Sequence, residues 1–145
     1  MCIRDRIEVF GASRVGVRLS PIFSYFSMSD SHPQATFDYT ARMLSRYGLA
    51  YLHIVELGEG PFDFVELKRR FGGPYIANGG YSAERAGAAI SQGTADLVAF
   101  GTPFLANPDL VERFRLGEAL NAPDPATFYQ GEEAGYTDYP TLPAQ

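Results

Sequence analysis

The sequence predicts an α/β fold in which parallel strands alternate with amphipathic helices. Short apolar segments that end in glycine or proline alternate with segments of helical spacing, in the order β-α-β-α-β-α-β-α behind a partial helix. Strands that alternate with helices in this way form a parallel sheet with right-handed crossovers. Four such units fit an open doubly wound sheet, and they equally fit half of an eight-unit barrel.

The composition is that of one globular domain and excludes several kinds of partner. The 145 residues are 46% hydrophobic and carry a net charge of −5, which makes nucleic acid a poor partner. No apolar stretch approaches the ~20 residues of a membrane helix. We therefore expect no nucleic-acid or membrane partner, and we assign no metal site. The single cysteine, Cys2, excludes an internal disulfide and predicts a reducing, cytoplasmic location; we assign it no role.

The first strand follows the end of a helix. Residues 7–10 have the features of a last helical turn, closed by Gly11. The predicted strand, residues 14–19, stops before Pro21 because proline cannot continue a ladder. Residues 21–33 form a long loop, and loops of this length are often functional. The aromatic residues of the loop are Phe23, Tyr25 and Phe26.

The second strand lies between two helices. Residues 34–47 place apolar side chains at helical spacing, and Gly48 closes the helix. Residues 49–55 are almost continuously apolar, which is typical of a strand covered on both faces. After a short loop, residues 64–71 have an apolar helical face and end at Gly72.

The third and fourth strands both end in glycine. Residues 74–77 lead into Asn78-Gly79-Gly80, a helix follows over about residues 82–92, and residues 96–100 lead into Gly101-Thr102-Pro103. Glycine lets the backbone approach a ligand closely, and free N–H groups in a turn or at a helix start attract anions. The two segments predict a phosphate-binding edge; the alternative is that they are turn glycines only.

The remaining chain holds one more helix and a tail. Asn107 is a predicted N-cap with Pro108 in the first helical position, and this helix ends at Gly117. Residues 118–145 are rich in proline and alanine and predict an ordered, extended tail. No dinucleotide or P-loop glycine motif follows any strand, which argues against both kinds of nucleotide site.

Six segments, in order, resemble the Old Yellow Enzyme family of FMN-dependent ene-reductases. They are RVGVRLSP (14–21), YLHIVE (51–56), GPYIANGGY (73–81), DLVAFG (96–101), ANPDLVERF (106–114) and GYTDYP (135–140). The resemblance implies that the fold is the C-terminal half of a (β/α)8 barrel, with strands five to eight and a tail that crosses the active-site mouth. It covers roughly residues 7–142 of a family whose chains are well over twice this length.

The resemblance also suggests how the chain is organised. We interpret residues 1–145 as a single partial domain. Residues 1–6 match nothing in the family and are interpreted as non-native, residues 7–117 form the half-barrel βα units, and residues 118–145 form the tail. A start inside a helix suggests a truncated gene or an assembly fragment.

Arg18 is the cationic residue that the resemblance places at the cofactor. It lies one residue before the end of its strand, where barrel active sites are found. The family likeness implies that Arg18 reaches the flavin pyrimidine edge near N1 and O2, where a cation stabilises the reduced flavin. The alternative is a surface arginine paired with a loop carboxylate.

Gly79, Gly80, Gly101 and Thr102 match the positions that bind the FMN phosphate in the family. Barrel enzymes commonly bind phosphate at the loops after the last two strands. The family usually has arginine where Thr102 stands. Its replacement removes a charge-assisted contact worth about 1.5–3 kcal/mol, so we expect a reduced flavin affinity.

The other candidates are interpreted mainly as structural. Tyr136 matches a tyrosine that lines the substrate side of the flavin in the family, and aromatic packing of the tail is an equal alternative. His53 is interpreted as a buried, hydrogen-bonded histidine rather than an acid–base group. Asn78 is interpreted as a turn-closing residue, and Glu56 as a structural or rim carboxylate.

The resemblance implies hydride transfer from NAD(P)H through FMN to an activated alkene. The family's substrate-binding His/Asn or His/His pair and its proton-donating tyrosine lie in the first half of the barrel, so no catalytic residue is assigned here. We expect little or no turnover by this chain alone. We also expect its open strand edges to make it associate as a homo-oligomer or require the missing N-terminal half. The alternative function is a non-catalytic half-barrel that binds a phosphorylated ligand or a partner half.

Overall fold

Strands and helices alternate along the computed structural model, which describes residues 3–24, 27–130 and 132–143. Its elements are α1 (Ile3–Phe10), β1 (Gly16–Leu19), α2 (Pro33–Leu44), β2 (Tyr51–Val55), α3 (Phe64–Phe71), β3 (Tyr75–Asn78), α4 (Ala83–Ser91), β4 (Leu97–Ala99), α5 (Thr102–Ala106) and α6 (Leu110–Leu116). The chain divides into two units, Met1–Ala99 and Phe100–Gln145. Cys2 and the loop aromatics Tyr25 and Phe26 lie outside the described residues.

The first unit contains a four-stranded parallel sheet in the order β1-β2-β3-β4. The register pairs Arg18 with His53, His53 with Ile76, and Ile76 with Leu97. This architecture confirms the predicted succession of four parallel βα units. Because all the strands are parallel, their carboxyl ends lie along the same side of the sheet, which we call its carboxyl edge.

The two faces of this sheet differ in their burial. Side chains on one face form the core of the unit together with residues of the helices, and they include Leu52, Ile54, Tyr75 and Ala77. On the other face, Tyr51 is 39% exposed and Leu97 is 53% exposed. The prediction that the second strand is covered on both faces is therefore wrong at Tyr51. It holds toward the end of β2, where Ile54 and Val55 are both buried.

Local capping fixes the helices of the first unit. The Asp63 carboxylate accepts a hydrogen bond from the Glu66 amide at 2.8 Å and starts α3, which ends at Gly72 with φ 71°. The Ser82 hydroxyl accepts from the Arg85 amide at 3.1 Å and starts α4. Such caps satisfy amides that have no partner inside a helix. No helix among the described residues is long and apolar enough to cross a membrane.

The second unit corrects the predicted start of the last helix. Asp109, and not Asn107, precedes α6. Asn107 is fully buried; its side chain donates to the Pro103 carbonyl at 2.8 Å and accepts from the Asn121 amide at 2.7 Å. The Asn107 side chain therefore links α5 to the tail. The sequence does not predict α5, whose five residues are too few to show a helical period.

The described tail of the second unit contains a 3-10 turn at Pro125–Thr127 and further hydrogen-bonded turns, in which the Gln130 amide donates to the Thr127 carbonyl and the Tyr136 amide donates to the Glu133 carbonyl. The tail is therefore less extended than predicted. Arg113 anchors it, since its guanidinium donates to the carbonyls of Ala119 and Pro140. The carboxylate of Asp109 pairs with Arg113 at 2.8 Å and accepts from the Leu142 amide at 2.7 Å. These contacts order a segment that has almost no regular structure.

Leu67→Ala tests the core of the first unit. Leu67 is 0% exposed, so truncation removes buried contacts and should lower the free energy of unfolding by about 2–5 kcal/mol. Val65→Ala in the same helix is the control, because Val65 is 55% exposed. It should change stability by less than about 0.5 kcal/mol. Equal destabilisation of the two variants in urea unfolding would contradict the described packing.

Size-exclusion chromatography tests the open edges of the sheet. In the described sheet, β1 and β4 each pair with one neighbour only, and such edges template association. The 145-residue chain should elute larger than a monomer at micromolar concentration. Leu97→Lys, which places a charge on the exposed side of β4, should shift the protein toward the monomer. A wild-type chain that elutes as a monomer with a sharp melting transition would contradict this expectation.

Candidate functional site

Arg18 and Asn78 connect the strand ends at the carboxyl edge of the sheet. The Nη2 atom of Arg18 donates to the Asn78 Oδ1 atom at 3.1 Å. The Asn78 Nδ2 atom donates in turn to the Ala99 carbonyl at 2.8 Å. Arg18 thus has an amide partner rather than a loop carboxylate. Asn78 does more than close a turn, because it holds the guanidinium next to the segment that follows β3.

That segment, the Gly79–Gly80 turn, requires glycine. The two residues have φ values of 126° and 61°, in the region that side chains disfavour. A Cβ atom on Gly79 would lie 2.8 Å from the Leu57 side chain and 3.2 Å from the Glu56 backbone. The Asn78 carbonyl accepts from the Glu56 amide at 2.7 Å. Gly79 is buried and Gly80 is exposed. Outside the strand ladder, no hydrogen bond among the described residues uses the Gly80 amide, so that amide remains for a ligand.

A buried carboxylate lies directly behind this turn. The side chain of Glu56 is 8% exposed, and its two oxygens accept from the hydroxyls of Tyr75 at 2.7 Å and Tyr81 at 2.6 Å. The guanidinium of Arg85 lies 4.0 Å from the Tyr81 ring centroid and 3.9 Å from Glu56, and it donates to the Gly79 carbonyl at 3.3 Å. We refer to Glu56, Tyr75, Tyr81 and Arg85 as the Glu56 cluster.

The Glu56 cluster keeps its two phenols protonated. Burial, together with the charge and the hydrogen bond of Glu56, raises the pKa of Tyr75 far above its ordinary value. Burial and the hydrogen bond to Glu56 raise the pKa of Tyr81 to about 12. Both hydroxyls therefore remain donors at neutral pH. Glu56 is the structural carboxylate that the sequence suggested, whereas the sequence predicts no role for Tyr81 or Arg85, because their contacts with Glu56 depend on the tertiary structure.

His53 lies with Arg18 on the less buried face of the sheet, and the two residues pair in the register of β1 and β2. Its Nε2 atom is buried and has no hydrogen-bond partner among the described residues. The expectation of a hydrogen-bonded histidine is therefore wrong for this atom. Loss of hydration on burial, and secondly the charge of Arg18, lower the pKa of His53 below its ordinary value of 6.5. The ring is accordingly neutral at physiological pH.

The long loop after β1 lines a cavity next to Arg18. The cavity has a volume of about 410 Å³. Its lining includes Arg18, Ser20, Phe23, Met28, Asp30, Phe37 and Glu59. The described part of the chain contains no group of three or more histidine, cysteine or acidic residues that could hold a metal ion. The cavity therefore combines one cation with an apolar wall and a few hydroxyl and carboxylate groups.

The other predicted site residues belong to the second unit. Gly101 immediately precedes α5, and its carbonyl accepts from the amides of Phe104 and Leu105. Thr102 is the first residue of α5 and is exposed. Tyr136 is 37% exposed, and its hydroxyl accepts from the Tyr129 amide at 2.7 Å. Tyr136 thus closes a loop of the tail and still presents part of its ring to solvent.

Comparison with known proteins places this architecture among flavin enzymes. Residues 3–121 match the family described as NADH:flavin oxidoreductase / NADH oxidase. The match begins at the first residue of α1, so the expectation that the first six residues match nothing in the family is wrong for residues 3–6. The four βα units correspond to part of a (β/α)8 barrel, as the family resemblance implied.

Individual relatives agree with this family match. The chain is 45% identical to "Putative 12-oxophytodienoate reductase 11" of Oryza sativa subsp. japonica, over 94% of this chain and 40% of the relative. The solved structure of morphinone reductase is similar with a TM-score of 0.90 and 50% identity, over 97% of this chain and 39% of that chain.

The old yellow enzyme of Trypanosoma cruzi has a TM-score of 0.91 and 36% identity, over 94% of this chain and 37% of that chain. The chain thus spans about two fifths of the length of the relatives it matches. It belongs to the NADH:flavin oxidoreductase / NADH oxidase family, the Old Yellow Enzyme family that its sequence resembles.

Proposed function

We propose that this chain forms the FMN-binding edge of an oxidoreductase that uses NAD(P)H to reduce activated alkenes through FMN. The observation that carries the proposal is the juxtaposition of Arg18, through Asn78, with the Gly79–Gly80 turn and the unused amide of the exposed Gly80. A cation and a side-chain-free turn at one edge suit the two ends of a flavin mononucleotide, its ring and its phosphate.

The residues of this edge fit the group chemically. Phosphate oxygens accept from backbone amides, and the Gly79–Gly80 turn offers the Gly80 amide without a side chain that would obstruct approach. When bound, FMN supplies the hydride chemistry between nicotinamide and alkene. Arg18 would hold a positive charge at the ring and favour its reduced, anionic form. For the second unit taken by itself, we propose that Gly101 and Thr102 contact phosphate from the start of α5 and that Tyr136 lines the substrate side.

The relatives support a nicotinamide reductant. One neighbouring structure, 54% identical to this chain, is titled as morphinone reductase in complex with tetrahydroNAD. The names of the 12-oxophytodienoate and morphinone reductases indicate that both reduce small organic molecules. We propose a substrate of the same broad class for this chain. We further propose that the 145 residues alone turn over little or no substrate, since the resemblance assigns them no substrate-activating pair.

Arg18→Gln tests the cation at the flavin ring. Removing a charge-assisted contact worth about 1.5–3 kcal/mol should weaken FMN binding about tenfold or more. Titration with quenching of flavin fluorescence measures this affinity. Arg14→Gln is the control, since Arg14 is an exposed arginine outside the strand. Unchanged affinity in Arg18→Gln would contradict the role of Arg18, and colourless protein that binds inorganic phosphate but no FMN would favour the non-catalytic alternative.

Nuclear magnetic resonance titration of the His53 ring tests the effect of the Arg18 charge on the pKa of His53. Removing the charge of Arg18 should raise the pKa of His53, while the larger effect of burial keeps it below 6.5. The unfolded chain then binds more protons than the folded chain just below pH 6.5. Stability should therefore fall as the pH drops through this region, and His53→Gln should flatten the slope. A His53 pKa that does not change in Arg18→Gln would contradict the described electrostatics.

A further inference from the structure

The carbonyl groups of the Gly79–Gly80 turn are tied back into the protein. The Asn78 carbonyl accepts from the Glu56 amide at 2.7 Å, and the Gly79 carbonyl accepts from the Arg85 guanidinium at 3.3 Å. The peptide bonds are trans. In a trans peptide the C=O and the following N–H point in opposite directions. The bond to the Asn78 carbonyl therefore directs the Gly79 N–H away from Glu56. The bond to the Gly79 carbonyl directs the Gly80 N–H away from the Arg85 guanidinium.

Backbone packing alone secures only one of these amides. The Glu56–Asn78 hydrogen bond joins two strand ends and directs the Gly79 amide. The orientation of the Gly80 amide depends instead on a side chain, because the Gly79 carbonyl is bonded to Arg85. Glycine at φ 61° has many accessible conformations. Without a partner for its carbonyl, the Gly79–Gly80 peptide would be free to rotate.

The Glu56 cluster holds Arg85 in the geometry that this bond needs. The Arg85 side chain is 52% exposed, so burial alone does not fix it. Its guanidinium lies 4.0 Å over the Tyr81 ring. The Tyr81 hydroxyl donates to the buried Glu56 carboxylate at 2.6 Å, which fixes the ring. A fixed aromatic face gives a cation–π platform for the arginine.

We propose that Arg85 is a positioning residue for phosphate binding, which orients the Gly80 amide through the Gly79 carbonyl and is itself held by Tyr81 and Glu56. The inference rests on the proposed function of the Gly79–Gly80 turn. It adds a residue outside the glycine motif to the anion site. Its cationic side chain also contributes a favourable field at short range to any phosphate bound at the turn.

Backbone amide spectra of the 145-residue chain, titrated with inorganic phosphate, test the proposal. In the wild type, the Gly80 amide signal should shift with phosphate. In Arg85→Ala, the Gly80 signal should already differ before phosphate is added, and phosphate binding should weaken about fivefold to tenfold. Arg85→Lys keeps a donor and the charge and should restore binding to within about twofold of the wild type.

Arg42→Ala is the matched control. Arg42 also lies over a tyrosine, Tyr39, at 5.4 Å on its own helix, so its removal changes the charge and the cation–π contact equally. It should leave the Gly80 signal and phosphate binding unchanged. If Arg85→Ala does not fold, Tyr81→Phe replaces it as the test, because it removes only the hydroxyl that bonds Glu56. Weaker phosphate binding by Tyr81→Phe supports the proposal. Phosphate binding equal to that of the wild type overturns it.

The outcomes separate this inference from the function on which it rests. If the Gly80 amide of the wild type does not respond to phosphate, both the proposed phosphate site and the role of Arg85 are overturned. If the wild type and Arg85→Ala respond equally, the role of Arg85 alone is overturned. A loss specific to Arg85→Ala, with the control unchanged, supports both.

Discussion

The close approach of Gly79 to the Glu56 backbone and the Leu57 side chain is the constraint on which the candidate site depends. A Cβ atom at Gly79 would lie 2.8 Å from the Leu57 side chain, so the turn forms only with glycine. The Asn78 carbonyl accepts from the Glu56 amide at 2.7 Å and joins the ends of β3 and β2, and Gly80, the next glycine, is exposed. The Asn78 side chain holds Arg18 at 3.1 Å. The cation and the exposed glycine thus both lie next to the end of β3.

One face of the sheet packs into the core, and the other carries the polar side chains of the candidate site. Leu52, Ile54 and Tyr75 pack under the helices and are 0% exposed. The opposite face carries Arg18 and the neutral His53, whose buried Nε2 atom has no partner among the described residues. A polar atom left unbonded in this way costs stability unless a ligand or water satisfies it. The face that carries this unbonded polar atom is therefore the one that we propose contacts the cofactor.

Much of the fold could be predicted from local signals, whereas the contacts of the site could not. Glycine at strand ends, apolar spacing and capping residues determined the four βα units, because each acts within a few residues of the chain. The hydrogen bond from Arg18 to Asn78 depends on how the strands pair. The hydrogen bond from Arg85 to Gly79 depends on the conformation of the Arg85 side chain. The misassigned cap at Asn107 has the same origin: it is a good cap by type, but burial against Asn121 gave it another role.

We propose that this edge of the sheet binds the phosphate of the flavin as well as its ring. Comparison of FMN with riboflavin, which lacks the phosphate, tests this most directly. Calorimetric titration of the wild-type chain should show FMN binding at least about tenfold tighter than riboflavin, a difference of about 1.4 kcal/mol. Equal affinity for the two flavins would contradict the account.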